Sequence, residues 1–224
     1  MIQLTDLQRH YVMASETIKA LDGINLNIPA GERVVLLGPS GSGKTTLLNC
    51  ISGLDTPTGG TYLFDGNPVK GSSEDLTTFR RKNVGYVFQF FNLLQDLTVL
   101  ENVLLIQELS GKRDVERAKD VLTLVGLKDE MVRFPSEISG GQQQRVAIAR
   151  SIAKNPKLLL GDELTGNLDT ETSVRVMEVL IEACKKESIT MIMVTHDESL
   201  SKYGTRVIRL DSGKVKSDEQ VKSE

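Results

Sequence analysis

The stretch from Gly38 to Thr45, GPSGSGKT, has the residue types and the spacing that bind phosphate groups. It fits G-x-x-x-x-G-K-[ST], follows the apolar run VVLL and precedes the helix-like TTLLNCIS. Glycines let the backbone curl so that N–H groups point at phosphate oxygens, and the following helix N-terminus adds positive potential. In such loops the lysine, here Lys44, reaches the terminal phosphates, and the hydroxyl of Thr45 faces Mg²⁺. A plain strand-to-helix turn requires none of this spacing, so the pattern predicts a nucleoside triphosphate site.

Two adjacent carboxylates, Asp162 and Glu163, follow the apolar run LLL in LLLGDE. A strand that ends beside a phosphate loop delivers its aspartate to the Mg²⁺ shell. The neighbouring glutamate then orients the attacking water or takes a proton from it. An acidic pair after a strand is otherwise a helix-start signal. Because the phosphate loop is present, we favour the catalytic interpretation.

A second polar turn, SGGQQQR from Ser139 to Arg145, precedes the helix-like VAIARSIA. A hydroxyl and two glycines at a helix N-terminus suit an anion. The residues alone do not explain why one chain needs two such loops.

Short apolar runs alternate with helical patterns along the chain, which predicts an α/β core. The runs lack regular alternation, as expected of strands covered on both faces of a mainly parallel sheet. The predicted strands are Val34–Leu37, Val84–Phe88, Leu158–Leu160, Ile189–Thr195 and Val207–Leu210, and the predicted helices are Thr45–Ser52, Val115–Val125, Gln142–Lys154 and Thr172–Lys186.

The chain divides into regions of different character. Residues 90–154 are predicted to form a helical subdomain inserted in a core made of residues 1–89 and 155–213. The first thirty or so residues and Gly59–Asp65, GGTYLFD, are β-rich and predict a small antiparallel sheet. The polar tail, residues 214–224, is expected to be frayed.

Composition excludes several classes of function. The 224 residues carry a net charge of −3, which offers no basic excess for nucleic acid. Cys50 and Cys184 lie in helical patterns and are expected to be buried thiols, a disulfide being the less favoured alternative.

Asp6 and Arg9 interrupt the N-terminal region where a signal peptide needs an apolar run. The longest apolar runs are too short to cross a bilayer, so we expect a soluble chain held at a membrane only through other subunits.

The motifs GPSGSGKTT, ISGGQQQR, LLLGDELTGNLD and VTHD, in this order, resemble those of the ATP-binding cassette (ABC) ATPases. The resemblance runs from about Met1 to Gly213. It implies one P-loop NTPase domain that binds ATP and Mg²⁺ and hydrolyses ATP. In that family two cassettes pair head to tail, and the SGGQ signature of one closes on the nucleotide of the other. This pairing explains the second loop.

The resemblance assigns roles to matching positions of this sequence. Catalysis is assigned to Lys44, Gln89, Glu163 and His196, and Mg²⁺ binding to Thr45, Gln89 and Asp162. Nucleotide binding is assigned to Tyr11, Gly38, Ser40, Gly41, Ser42, Gly43, Lys44, Thr45, Thr46, Ser139, Gly140, Gly141, Gln142 and Asp169. Some of these residues also have ordinary explanations: Tyr11 as a packing aromatic, Gln89 as a loop residue, His196 as a structural histidine, and Asp169 as a helix cap.

The chain departs from the family pattern near two of its motifs. Ile138 replaces the leucine before SGGQ, a nearly isosteric exchange. Leu164 replaces the proline that usually follows the catalytic glutamate, and Gly161 precedes Asp162. Loss of a proline relaxes the backbone beside Glu163, so this departure bears on the expected hydrolysis rate more than on expected nucleotide binding, and the sequence leaves the size of the effect open.

The residues of these motifs resemble those of the ABC ATPase subgroup that serves lipoprotein release and macrolide or antimicrobial-peptide export. We therefore expect an ATP-dependent homodimer on the inner face of the membrane, held there by permease subunits. Exposed apolar residues are expected to receive the permease, with internal packing as the alternative for at least half of them: Phe90, Phe91, Leu93 and Leu94.

Other classes of function share parts of this sequence pattern. ATPases of amino-acid importers and cell-division complexes share many of these motif residues, and they stay open as alternative functions. Soluble cassette proteins of translation or DNA repair usually carry two cassettes or a long coiled-coil insertion, neither of which is present. A GTPase or small-molecule kinase is disfavoured because the chain has no N/T-K-x-D motif and neither class explains ISGGQ.

Overall fold

The computed structural model describes residues 1–13 and 16–221. The α-helices there are α1 (Lys44–Ser52), α2 (Ser73–Asn83), α3 (Val99–Leu109), α4 (Val115–Leu124), α5 (Gly140–Ile152) and α6 (Thr170–Lys186). The strands are β1 (Ile2–Val12), β2 (Thr17–Ile28), β3 (Arg33–Leu37), β4 (Gly59–Phe64), β5 (Asn67–Pro68), β6 (Val84–Val87), β7 (Leu158–Asp162), β8 (Thr190–Val194), β9 (Arg206–Asp211) and β10 (Lys214–Gln220).

The chain divides into two compact units, Met1–Arg80 with Thr190–Glu224 and Arg81–Ile189. In the first unit, β3 lies between β8 and β9 and is parallel to both, while β10 is antiparallel to β9. All of β8 and nearly all of β3 are buried. Strands covered on both faces carry β-branched and apolar residues without alternation, which is the pattern of these runs. This sheet positions the phosphate loop, because β3 ends at Leu37 directly before Gly38.

The first unit also contains the small antiparallel sheet, with strand order β2-β1-β4-β5. Its residues alternate between buried and exposed in the first half of β1 and at the end of β2, as expected of a sheet with one face on the core. The antiparallel β sheet of the N-terminal region and Gly59–Asp65 is therefore confirmed.

The second unit combines the parallel pair β6 and β7 with helices α3 to α6. Its helices begin at side-chain caps that accept hydrogen bonds from backbone N–H groups left unpaired at helix starts. The caps are Thr98 for α3, Asp114 for α4, Ser139 for α5 and Asp169 for α6. Two of these caps, Ser139 and Asp169, belong to motifs identified in the sequence.

The predicted strands and helices agree with the observed ones to within a few residues, whereas α2, α3, β5 and β10 were not predicted individually. Helix α2 has no buried residue, so it lacks the apolar periodicity that identifies a helix. The expectation of a frayed tail was wrong for Lys214–Gln220, which form β10. Arg206 of β9 holds this polar strand through Asp218, with Nε to Oδ1 at 2.6 Å and Nη2 to Oδ2 at 2.7 Å. The division into an inserted helical subdomain stays a prediction.

Among the residues that the model describes, no helix has the length and apolar character needed to cross a membrane. Cys50 and Cys184 are buried and form no disulfide, as expected. Burial raises the pKa of Cys50 to about 12, which keeps this thiol protonated and unreactive.

Candidate nucleotide-binding and hydrolysis site

The phosphate loop joins the buried strand β3 to helix α1 in the first unit. Its lysine turns back onto the loop: Lys44 Nζ donates hydrogen bonds to the carbonyl oxygens of Gly38 at 2.7 Å and of Pro39 at 2.8 Å. No acidic residue lies in the first turn of α1, so nothing there offsets the positive potential of the helix N-terminus. Ser40, Gly41 and Thr45 are exposed. The loop therefore presents its donors to an incoming anion.

Two glycines of the loop occupy places where no side chain fits. A Cβ at Gly38 would lie 2.2 Å from the Leu210 carbonyl oxygen. A Cβ at Gly43 would lie 2.3 Å from the Ala20 carbonyl oxygen, and Gly43 has a φ of 100° as the N-cap of α1. Close backbone packing on both sides thus fixes the curl of the loop.

Replacing Gly43 by alanine should disrupt the loop. We expect the free energy of unfolding to fall by at least about 2 kcal/mol and ATP affinity to fall at least about tenfold, because the positive φ and the overlap with Ala20 both oppose a Cβ. Chemical denaturation and equilibrium nucleotide binding measure the two effects. Gly66→Ala is the matched control, with φ +77° and no atom within 4 Å of the added Cβ. Equal effects of both substitutions on ATP affinity would contradict this account.

His196 lies beside the start of the phosphate loop. It follows the buried Thr195, just beyond the end of β8, and is itself exposed. Together with Leu37, Gly38 and Pro39 it lines a cavity of about 430 Å³. This adjacency matches the position expected of a histidine that contacts a terminal phosphate.

The same cavity is lined by charged residues that the sequence did not single out. Arg209 of β9 donates to Glu198 at 2.9 Å, and Lys216 of β10 donates to Asp211 at 3.3 Å. The Nη1 atom of Arg209 is buried and has no hydrogen-bond partner within the described residues. No local motif identifies these residues, because β9 and β10 reach the phosphate loop only through the fold of the sheet.

Tyr11 is tied to its own unit by a polar cluster. Its hydroxyl donates to Asp55 Oδ2 at 2.6 Å, and the Arg9 guanidinium lies 4.4 Å from the centre of its ring. Arg9 also holds Asp55, with Nε to Oδ2 at 2.9 Å and Nη2 to Oδ1 at 2.8 Å. Burial and the hydrogen bond to Asp55 raise the pKa of the Tyr11 hydroxyl. Stacking of Tyr11 on adenine stays a prediction, and Arg9 and Asp55 were not foreseen.

In the second unit, Gln89 and Glu163 lie close to one another around Gly166. A Cβ at Gly166 would be 3.4 Å from Gln89 Nε2 and 3.5 Å from the Glu163 carbonyl oxygen. Asn167 Nδ2 donates to the Gln89 carbonyl oxygen at 3.0 Å, and Gly166 N donates to the Glu163 carbonyl oxygen at 3.1 Å. The fold therefore brings together two residues that are far apart in sequence and that were both assigned to catalysis.

Asp162 and Glu163 stand at the end of β7, as predicted. Glu163 has a φ of 49°, in the left-handed region that residues other than glycine rarely adopt. Both side chains are half-buried. Burial and the charge of Asp162 raise the pKa of the neighbouring Tyr86 hydroxyl. A backbone held in an unfavourable conformation at a carboxylate is typical of functional sites.

The signature turn forms the N-terminus of α5. Ser139 Oγ accepts from Gln142 N at 3.3 Å, and Gln142 Oε1 accepts from Ser139 N at 2.8 Å, which is a capping box. Ser139 is exposed. A Cβ at Gly141 would lie 2.4 Å from Thr172 Cγ2, so a larger residue at this position requires the Thr172 side chain at the start of α6 to move. Contact of this turn with a nucleotide stays a prediction.

Asp169 caps α6. Its Oδ1 atom accepts from Thr172 N at 3.0 Å, and hydrogen bonds to Thr172 lower the pKa of this carboxyl. The helix-cap explanation of Asp169 is thus realised in the structure. Its assignment to a dimer interface stays a prediction.

The apolar residues proposed to receive a permease differ in exposure. Phe90 is 65% and Leu94 is 48% exposed, whereas Leu93 is buried and Phe91 is half-buried. Internal packing therefore accounts for Phe91 and Leu93, which agrees with the alternative that at least half of the four residues pack internally.

The residues present fit ATP and Mg²⁺ on the chemistry of their donors. Ser42 Oγ is a buried polar atom of the loop without a hydrogen-bond partner within the described residues. Thr45 is exposed at the start of α1, and Asp162 is half-buried at the end of β7. Hydroxyl and carboxylate oxygens are the ligands that Mg²⁺ prefers.

Comparison with known proteins decides the family. The family model described as "ABC transporter" matches residues 21–166. The chain belongs to the ABC transporter family. It is an ATP-binding cassette with the α/β fold of the P-loop NTPases, and its enzymatic class is ATPase.

Curated relatives of the cassette include transport ATPases. It is 42% identical to the lipoprotein-releasing system ATP-binding protein LolD of Syntrophus aciditrophicus, covering 96% of this chain and 98% of LolD. It is 41% identical to the macrolide export ATP-binding/permease protein MacB of Syntrophobacter fumaroxidans, covering 97% of this chain and 31% of MacB. The cassette spans 45% of another relative, ABC transporter H family member 2 of Dictyostelium discoideum, at 44% identity.

A solved structure covers the whole cassette. The dimeric post-hydrolysis state of the cassette MJ0796, bound to ADP and Pi, matches with a TM-score of 0.88 and 39% identity over 100% of both chains. MJ0796 comes from Methanocaldococcus jannaschii. The likeness to this nucleotide-bound cassette therefore includes the amino-acid sequence as well as the fold.

Proposed function

We propose that the cassette is the ATP-driven motor of an export or extrusion system and works as a head-to-tail pair. In each pair the phosphate loop of one copy and the signature turn of the other bind the same ATP. The cassette lies on the inner face of the membrane through permease subunits, which carry the substrate specificity. The sequence similarity to LolD and MacB favours a role in export over a role in amino-acid uptake or cell division.

The observation that carries the pairing is the geometry of the signature turn. Ser139 is exposed at the capped N-terminus of a 13-residue helix, and Gly141 is pressed against Thr172. A helix N-terminus carries positive potential and favours an anion. The full-length similarity to a dimeric cassette bound to ADP and Pi supports a second copy as the source of that anion.

Each motif residue has a task in this proposal. Lys44 and the loop N–H groups bind the terminal phosphates, with Ser40 and Gly41 at the loop surface, Thr46 in the first turn of α1 and Tyr11 against adenine. Thr45, Asp162 and Gln89 would hold Mg²⁺, which neutralises phosphate charge when bound. Glu163 accepts a proton from the attacking water, and His196 contacts the terminal phosphate. Gly140, Gln142 and Asp169 support the contact with the partner copy.

Removal of the metal tests the ATPase chemistry. Chelation by EDTA should stop ATP hydrolysis by the purified chain, and added Mg²⁺ should restore it. Asp162→Asn should raise the Mg²⁺ concentration for half-maximal rate at least about tenfold, because one charged ligand is lost. Asp129→Asn, at an exposed aspartate of a 3₁₀ helix, is the control. Hydrolysis that persists in EDTA, or an unchanged Mg²⁺ requirement in Asp162→Asn, would refute the metal assignment.

Co-purification tests the membrane partner. Expressed in its native host, the tagged cassette should bring down an integral membrane permease. Phe90→Asp and Leu94→Asp should weaken that association, because each places a charge on an exposed apolar side chain. Phe91→Leu, at a half-buried position, should leave it intact. Recovery of only soluble partners would redirect the proposal to a soluble cassette protein.

A further inference from the structure

The residue that follows Glu163 is held by a glutamine of the signature helix. Gln144 of α5 is fully buried, and its Nε2 atom donates to the Leu164 carbonyl oxygen at 2.7 Å. Gln144 lies two residues after the SGGQ turn on the same helix. A buried amide that is aimed at one carbonyl restricts the backbone on which that carbonyl lies.

Leu164 is also fixed through its side chain. A Cβ at Gly161 would lie 2.7 Å, 2.8 Å and 2.9 Å from Leu164 Cδ1, Cγ and Cδ2. Leu164 is only 3% exposed, and its Cγ and both Cδ atoms fill the space that any larger residue at position 161 needs. Gly161 and Leu164, the two departures from the family pattern at the end of β7, therefore depend on each other through packing.

Glu163 lies between these two fixed neighbours. Its φ of 49° is unfavourable for a residue with a Cβ. Such a conformation persists only where the surrounding contacts hold it. Besides the hydrogen bond from Gly166 N to its carbonyl oxygen, the contacts of its neighbours Gly161 and Leu164 and of Gln144 restrict this backbone.

We propose that Gln144 and the Gly161–Leu164 contact are positioning elements that hold Glu163 in the geometry for hydrolysis. Leu164, filling the space at Gly161, takes over the restraint that a proline gives in other cassettes. Gln144 anchors the same residue to the helix that begins at Ser139. This inference rests on the proposed catalytic role of Glu163.

The first test removes the hydrogen bond. Gln144→Met keeps the length of the side chain and removes the donor to Leu164. We expect kcat for ATP hydrolysis to fall about tenfold with KM for ATP within about twofold, because the loss concerns the geometry of the reacting group and not binding. Kinetics of the purified chain and denaturant unfolding are measured in parallel.

Gln107→Met is the matched control. Gln107 is 2% exposed, and its Nε2 atom donates to the Ala153 carbonyl oxygen at 3.2 Å in the same unit. Loss of a buried amide should destabilise both variants, whereas only Gln144→Met should lower kcat. Equal kcat values for the two variants would overturn the positioning role of Gln144.

The second test uses the packing of Gly161 against Leu164. Gly161→Ala should lower kcat about tenfold, because the added Cβ displaces the Leu164 side chain. Leu164→Ala should lower kcat to a similar degree, because the side chain that fills this space is lost, and KM for ATP should stay within about twofold in both variants. If Gly161→Ala is insoluble, Leu164→Ala carries the test. A kcat within about twofold of wild type for a soluble Gly161→Ala or Leu164→Ala would overturn the proposal.

Glu163→Gln, measured beside these variants, separates the two levels of inference. Continued hydrolysis in Glu163→Gln would refute the proposed role of Glu163 itself. Loss of hydrolysis in Glu163→Gln, with wild-type kcat in Gln144→Met and Gly161→Ala, would refute only the positioning.

Discussion

Replacing Glu163 by glutamine is expected to lower kcat for ATP hydrolysis by about 10²- to 10³-fold, while ATP affinity stays within about threefold. The amide has the size of the carboxylate, so the left-handed backbone at this position and the contacts of Leu164 are kept. What is lost is the ability to accept a proton from the attacking water. Because ATP is bound but not cleaved, the pair of cassettes should accumulate as a dimer.

Size-exclusion chromatography with and without Mg²⁺-ATP measures the accumulation, and phosphate release measures the rate. Glu171→Gln is the matched control, since Glu171 is an exposed glutamate in the first turn of α6. That variant should keep the wild-type rate and should form no persistent dimer. Unchanged hydrolysis in Glu163→Gln would remove this residue from its assigned role.

Replacing Ser139 by arginine is expected to reduce turnover to less than about 1% of wild type, with ATP affinity of the isolated chain within about twofold. Ser139 is exposed at the start of α5, so a long charged side chain there obstructs a surface and not the core. Loss of the cap costs only about 1 kcal/mol, which is too little to unfold the chain. Binding and turnover should therefore separate.

Thr98→Arg controls for the lost cap and for the added charge. Thr98 forms the same kind of capping box at the start of α3, in the same unit as Ser139. Its replacement should lower stability to a similar degree and leave turnover close to wild type. If ATP binding to an isolated Ser139→Arg chain collapses, the signature turn acts on the nucleotide of its own chain and the proposed pairing is wrong.

The sequence was sufficient for the elements that have a strong local pattern. The five strand predictions and the four helix predictions were correct to within a few residues, because buried strands lack alternation and the helices show apolar periodicity. Helix α2 escaped prediction since it buries no residue, although Ser72 and Asp75 form a cap that the sequence could have suggested. Strand β10 is polar and is stabilised by its pairing with β9, which no local pattern reports.

The candidate site was predictable where a motif fixes the spacing. The phosphate loop, the acid pair and the signature turn each lie within one short segment, and the structure places each at the end of the expected strand or helix. The contacts that join segments were not predictable. Asp55 binds Tyr11 across 44 positions, and Gln144 reaches Leu164 across 20. Side chains of this kind act through the fold, so their roles appear only in three dimensions.

A mixing experiment tests the pairing most directly. Glu163→Gln and Ser139→Arg are combined in equal amounts without nucleotide, and hydrolysis is started with Mg²⁺-ATP. A mixed dimer contains one intact site, with the signature turn from the Glu163→Gln chain and the phosphate loop and Glu163 from the other. We expect activity to return to as much as about one quarter of the wild-type rate, since half of the dimers are mixed and each has one working site. A mixture no more active than its two inactive components would contradict the shared site.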